Sequence, residues 1–367
     1  MKTSIACLGA VALLALAVSP ARAGLKRYTC TALASVGDGQ QAAPNAINKY
    51  GRIAGTASFP DGGSWAWGAV YWKDDRHASA LGDLLPPDYA NTQAFGINDD
   101  NLIVGIAQIG CGDFCWHNRP VAWHGTAATV LPLPEGSVDG WAFGVNRHGR
   151  IVGRYTVPGT TTEHAAMWHG GRVHDLGTLG SRKNRWWQNS AAYAVNDAGA
   201  AVGYSVDDTG DSQAARWDAD GQVAELTGLP GGTQAAARSI NKSGLIVGWS
   251  NTPSGGSSSI HAVAWLGNRV VDIDPHAHED HVSTAIQVNN RGTIVGYRIA
   301  GATVVPLVWP QWSHKAMRLK DFVDGSCQVE GEAFELTYVH GINDDDVIIA
   351  SGQAAGGREA AFRLSPH

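Results

Sequence analysis

One phrase recurs seven times along this chain: Ala-x-x-Asn-x-x-Gly-x-Ile-Val-Gly in varied spellings, a spacer, a small-apolar-Trp triplet, then a run resembling Asp-Leu-Gly. Its Asn falls at Asn48, Asn98, Asn146, Asn196, Asn241, Asn289 and Asn343, so successive copies are 50, 48, 50, 45, 48 and 54 residues apart. A period near 50 with no helical pattern inside it predicts stacked or ringed β modules rather than one mixed domain.

Within a copy, the residue three after the Asn is Gly51, Asn101, Gly149, Gly199, Gly244, Gly292 or Asp346. Gly, Asn and Asp best tolerate positive φ, which a short hairpin demands at its last turn position. The Asn itself is expected to fold onto the backbone two residues on, as an Asx-turn, and all seven are read as structural. Arg52–Gly55, Leu102–Gly105 and Leu245–Gly248 then read as second strands closed by a Gly that admits a neighbouring backbone. Trp72, Trp123, Trp168, Trp217, Trp265, Trp309 and Phe362 end third strands and are expected to fill the space between adjacent sheets. Fourth strands are expected at Leu81–Leu84, Val173–Leu176 and Val271–Asp274.

The two ends complement each other. Arg27–Leu33 is a lone strand-like piece before the first copy, and the last copy stops after its third strand, Ala360–Leu364. The strand missing at one end is the surplus strand at the other, which a linear stack cannot use and a ring can. The expected fold is therefore all-β: a seven-bladed β-propeller of four-stranded antiparallel blades, with the N-terminal strand closing the last blade.

The phrase Ala-Ile-Asn-Lys-Tyr-Gly-Arg-Ile-Ala-Gly at 46–55, His261-Ala262-Val263-Ala264-Trp265, and Asp175-Leu176-Gly177-Thr178-Leu179-Gly180 resemble the unit of bacterial extracellular HAF-repeat proteins. The resemblance covers the chain beyond its first two dozen residues. Copy seven departs from it, with Ala350 for the Gly after its second strand and Phe362 for its Trp. The family implies a secreted, propeller-like repeat protein and carries no catalytic residues to transfer.

Met1–Ala23 has an early Lys, an apolar stretch from Ile5 to Val18 and an Ala-Arg-Ala ending, the layout of a signal peptide cleaved after Ala23. Residues 24–367 then form the exported repeat domain, secreted or periplasmic. No run is long enough for a transmembrane segment. Cleavage removes Lys2 and Arg22, leaving 25 bases against 33 acids, a formal charge of −8. That acidity, without a basic stripe, argues against nucleic acid as partner. Cys30, Cys111, Cys115 and Cys327 allow three pairings in an oxidising compartment; Cys111 with Cys115 is the local choice and leaves Cys30 with Cys327.

Long, dissimilar connections fall on the face opposite the Asn turns, and irregular loops on a rigid scaffold are where sites are usually built. Trp65 and Trp67, Trp116 beside the Cys111–Cys115 loop, and Arg185, Trp186 and Trp187 are the candidate ligand contacts there, for a sugar, peptide or acidic partner; the bland alternative is that these Trp cap sheet edges. His276, His278, Asp280 and His281 are candidate ligands for a divalent metal, Zn or Ca, in a loop spelled like the His-x-His-x-Asp-His of metallo-β-lactamase-type hydrolases. A strand leads in and another follows, so the geometry that makes that spelling work elsewhere is lacking, and a solvated polar loop is the simpler reading. No nucleophile elbow, phosphate loop or dinucleotide fingerprint occurs.

Two functions remain. The first is a monomeric binding module that holds a carbohydrate or a protein at the cell exterior. The second is an exported enzyme such as a polysaccharide lyase or glycosidase, which needs at least two convergent titratable groups in unusual environments. The residues two before each Asn are Ala46, Gly96, Gly144, Ala194, Ser239, Gln287 and Gly341, small or uncharged, so the inner strands are expected to contribute little and the loops most.

Overall fold

The computed structural model describes residues 26–36, 41–61, 64–82, 89–111, 115–180, 188–253, 259–275 and 281–367. The signal segment expected over 1–23 lies outside the described residues. What is described is strand and turn, apart from two short 3-10 segments at Pro310–Trp312 and Leu319–Phe322.

Each copy of the repeat folds into an antiparallel sheet. Copy one supplies Ala42–Ile47, Ile53–Asp61, Ser64–Trp72 and Ala78–Ala80, paired in that order. Copy two supplies Tyr89–Ile97, Leu102–Gly110, Trp116–His124 and Ala127–Val130; copies three and four repeat the plan. Copies five and six share one irregular sheet, joined by a single parallel pair between Ile260 and Val282. In copy seven the strand Tyr28–Ala32 lies antiparallel to Glu359–Pro366, Tyr28 opposite Pro366 and Ala32 opposite Phe362. One sheet thus holds both ends of the described chain. The first copy's fourth strand is described at Ala78–Ala80, paired with Val70–Trp72; of the expected Leu81–Leu84, Leu81 donates its N–H to Ala69 O at 2.8 Å, and residues 83 and 84 lie outside the described residues.

The first strand of each copy is innermost and touches the first strand of the next, with the last touching the first. At the same place in every inner strand the pairing skips one residue: Asn45, Phe95, Phe143, Tyr193, Arg238, Ile286 and His340. This is a β-bulge, in which two residues oppose one and a side chain is re-aimed. The bulge explains the Gly that closes the motif, since a Cβ at Gly105 would run into the carbonyl of Gln93 on the bulged strand. Copy seven has Ala350 there, and its inner strand carries a second register shift, between Leu336 and Tyr338.

Sheets pack face to face, so their middle strands are buried without alternation, as in Leu102–Ala107. The repeated Trp does fill the gap between neighbours: Trp217 of copy four clusters with Val152, Met167 and Leu176 of copy three. Each indole also donates Nε1–H backwards to a carbonyl at the end of the preceding sheet. The acceptors are Ala34 for Trp72 (2.8 Å), Gly82 for Trp123 (3.0 Å), Pro132 for Trp168 (2.7 Å), Leu176 for Trp217 (2.8 Å), Thr227 for Trp265 (2.9 Å) and Ile273 for Trp309 (2.8 Å). A lost buried bond of this kind costs about 1–3 kcal/mol, which selects Trp over Phe at six of the seven places. Both expected disulfides form, Cys30–Cys327 across 297 residues and Cys111–Cys115 across four.

Candidate functional site

Two rows of side chains follow the inner strands, one at each end. At the turn end the seven Asn close a ring. In the pattern shown by Asn146, Oδ1 accepts from the N–H of His148 (3.0 Å) and of Arg150 (3.0 Å), the expected Asx-turn extended by one bond. Each Nδ2 donates to the carbonyl of the next Asn: 48 to 98 (3.0 Å), 98 to 146 (3.0 Å), 146 to 196 (2.9 Å), 196 to 241 (3.3 Å), 241 to 289 (3.0 Å), 289 to 343 (2.9 Å), and 343 back to 48 (3.1 Å). Where Gly is lost from the turn, the replacement keeps positive φ (Asn101 at 61°, Asp346 at 62°) and takes a second bond from the preceding Asn, at 3.2 and 2.7 Å. Above the ring stand Lys49, Asp99, Arg147, Asp197, Lys242, Asn290 and Asp344 around a hollow of about 190 Å³. They pair among themselves, Lys49 with Asp99 at 3.1 Å and Arg147 with Asp197 at 3.3 Å. Little is left there for a ligand.

Three residues upstream, roughly 10 Å along each strand, stand the bulge residues. The rings of Phe95 and Phe143 are 5.8 Å apart, those of Phe143 and Tyr193 5.6 Å, and the Arg238 guanidinium lies 4.8 Å over Tyr193. Four consecutive inner strands thus lay their skipped side chains side by side around the axis. Beyond them, Tyr338 sits 5.1 Å from Tyr297 and 4.9 Å from His340. All these rings are half-buried, and Arg238 is exposed.

The electrostatics of this lining are displaced from ordinary values. Burial pushes the Tyr338 phenol up to about 12, with Tyr297 adding to the rise and the Arg238 charge opposing it. Burial holds the His340 imidazole down to about 4, so it is neutral at pH 7, with Nε2 2.7 Å from Ser351 Oγ. Arg154 lies 4.4 Å over Trp141 and 5.7 Å over Phe143 and pairs with Glu163 at 2.8 Å. Burial raises the Glu163 carboxyl and Arg154 opposes the rise.

The inner strands therefore do line the axis with chemistry, contrary to the expectation from the residues two before each Asn. Those face the neighbouring inner strand instead: a Cβ on Gly96 would lie 2.8 Å from Phe143 O, and one on Gly144 2.8 Å from Tyr193 O. The bulge hands the axis to the residue one earlier. Its sequence signal is that the position three before each Asn is Asn, Phe, Phe, Tyr, Arg, Ile and His in turn.

The loop residues fare differently. Trp67 and Trp116 are described and exposed, at 38% and 52%. The Trp67 N–H donates to Asn91 Oδ1 at 2.8 Å, and His117, next to Trp116, reaches Asp139 at 3.3 Å just before an inner strand. Both Trp therefore belong to the long-loop end. Trp65 is in the strand Ser64–Trp72, with its side chain outside the described residues. Arg185, Trp186, Trp187, His276, His278 and Asp280 lie outside the described residues, and His281 is described only as the start of the strand His281–Val288. Cys111, Cys115 and His117 bring ligand atoms within 4.8 Å of one another, but both sulfurs are committed to the disulfide.

One further constellation has the hydrogen-bond order of a serine hydrolase. Ser259 Oγ is 2.9 Å from His261 Nε2, and His261 Nδ1 is 2.7 Å from Asp272 Oδ2. A nucleophile must be reachable, and Ser259 is 3% exposed. The His–Asp half recurs in copy three as His164 with Asp175 at 3.0 Å, without the serine. It clips a third strand to a fourth.

No family model and no curated protein match this chain. Solved structures do. The β-propeller domain of the Trilobed protease from Pyrococcus furiosus, described as having an open velcro topology, superposes with a TM-score of 0.54 at 11% identity over 89% of this chain and 93% of that one. The fold is a β-propeller. The Pyrococcus horikoshii acylaminoacyl peptidase (0.53, 10% identity) and a puromycin hydrolase (0.50, 12%) match over 88% and 92% of this chain but 50% and 51% of their own, so this chain spans about half the length of each. At such identities the likeness concerns architecture alone. Among the described residues no helix is long and apolar enough to cross a membrane.

Proposed function

We propose that this chain is an exported, seven-bladed propeller of the HAF-repeat kind, closed by Tyr28–Ala32, and that it binds a carbohydrate in its central channel from the long-loop end. The observation that carries this reading is the contiguous row Phe95, Phe143, Tyr193 and Arg238, half-buried or exposed, at the bulged inner-strand position, whose residue changes from copy to copy. Aromatic faces with an adjacent guanidinium suit the C–H faces and hydroxyls of sugar rings. Two disulfides agree with export. Trp67 and Trp116 stand exposed at the long-loop end. A glycan array run with the mature protein and with a Phe143→Ala/Tyr193→Ala variant tests it. Hits that disappear in the variant support the reading; an array without hits, or hits indifferent to the variant, refutes it.

A second reading, an exported polysaccharide lyase or glycosidase, draws on Tyr338 and His340, two neighbouring groups whose proton affinities burial has displaced in opposite directions. A glycosidase needs paired carboxylates. The described carboxylate by the channel aromatics, Glu163, is tied to Arg154, so lyase chemistry fits better. Turnover of a polymer found on the array, lost in Tyr338→Phe, would favour this reading over binding alone.

A further inference from the structure

We infer that the axial site takes an acidic sugar, a hexuronate unit whose carboxylate meets Arg238. This rests on the channel reading and narrows it to one ligand class. Among the described residues Arg238 has no carboxylate partner, although the chain has 33 acids to 27 bases. The other arginine beside these rings, Arg154, is neutralised by Glu163. His340 is neutral at pH 7 and adds no charge. The described lining therefore carries one uncompensated positive charge inside an acidic protein, which is a preference for an anion.

The shape of the lining says which anion. Arg238 rests on the Tyr193 ring, which restrains its planar fork, and such a fork matches a carboxylate with two parallel bonds. Tyr193 then continues into Phe143 and Phe95 at spacings of 5.6 and 5.8 Å, flat partners for successive sugar rings. An acidic peptide offers carboxylates on flexible stems and no ring face, so it uses the charge and wastes the rings. At the opposite end the polar groups bond to one another, so the ligand enters from the long-loop side.

The test is a calorimetric titration of the purified mature chain with a galacturonate trimer, the matching neutral galactose trimer, and tri-glutamate. The acidic sugar is expected to bind at least tenfold tighter than the neutral one, and added salt to weaken it. Arg238→Gln should cost the acidic trimer tenfold or more and the neutral trimer, which loses at most a hydroxyl contact, several-fold less, with Arg238→Lys between. An unshifted thermal midpoint for the variant shows that it is folded. Equal affinity for the two sugars, an unaffected Arg238→Gln, no binding of the acidic trimer, or tri-glutamate binding tightest would each overturn the inference. If neutral sugars bind and Phe143→Ala/Tyr193→Ala abolishes that binding, only the acidic preference falls. If that variant alters nothing, the channel reading falls with it.

Discussion

Three residues separate two rows on the inner strands, one constant and one different from copy to copy. The Asn row is one residue type used seven times, its side-chain atoms bonded within and between copies. The bulge row is six residue types in seven places, with half-buried rings and a guanidinium that has no carboxylate partner among the described residues. Because the Asn row ties each sheet to the next, the bulge row is relieved of holding the ring together. Uniformity at one end permits diversity at the other.

The comparison breaks first on stability. Asn146→Ala leaves the part-buried N–H groups of His148 and Arg150 without their acceptor and takes one of two donors from the carbonyl of Asn196, which keeps the Gly199 N–H at 3.0 Å; at about 1–3 kcal/mol for each unsatisfied group, a loss of about 4 kcal/mol is expected in denaturant unfolding. Phe143→Ala, three residues away, should cost about 1 kcal/mol, since its ring is only half-buried. Equal losses would mean that the two rows are not divided in this way.

A smaller effect sharpens the upstream row. His340 is neutral in the folded chain down to about pH 4, whereas an unfolded imidazole protonates near 6.5. Folding therefore loses stability as pH falls from about 6.5 through about 4, by up to about 3 kcal/mol, and no such penalty exists above that window. His340→Gln should flatten that part of the pH profile relative to the natural chain. Matching slopes would place the imidazole in water.

The smallest effect concerns the turn that feeds the Asn row. Gly149 has φ of 72°, so Gly149→Val should cost about 1–2 kcal/mol. Gly149→Asn should cost well under that, because Asn98 Nδ2 gains the acceptor that Asn101 already offers Asn48. Thermal melts of the two variants decide it.

Much of the scaffold was legible because its physics is periodic. The positive-φ turn, the Trp between sheets, the disulfide pairing and the strand shared by the two ends of the described chain all follow from residues that recur or complement each other. The bulge is the reason the axial lining was not. It shifts the inward position by one, so counting in twos from Asn98 lands on Gly96, which faces the next strand, and misses Phe95. Variation, which looks like noise in a repeat, was the signal. The Asn-to-Asn bond was hidden for another reason: it joins residues about 50 positions apart, and local turn chemistry mentions only the Oδ1 half of the side chain.

The closed circuit of Asn amides has an electrical consequence. Side-chain amides are dipoles, and dipoles laid nose to tail around a loop add to nothing at a distance. Directly above them, three cations and three anions alternate around the rim and likewise cancel. That doorway is silent to an approaching ion, so whatever long-range guidance the molecule gives to a charged visitor has to come from its opposite mouth.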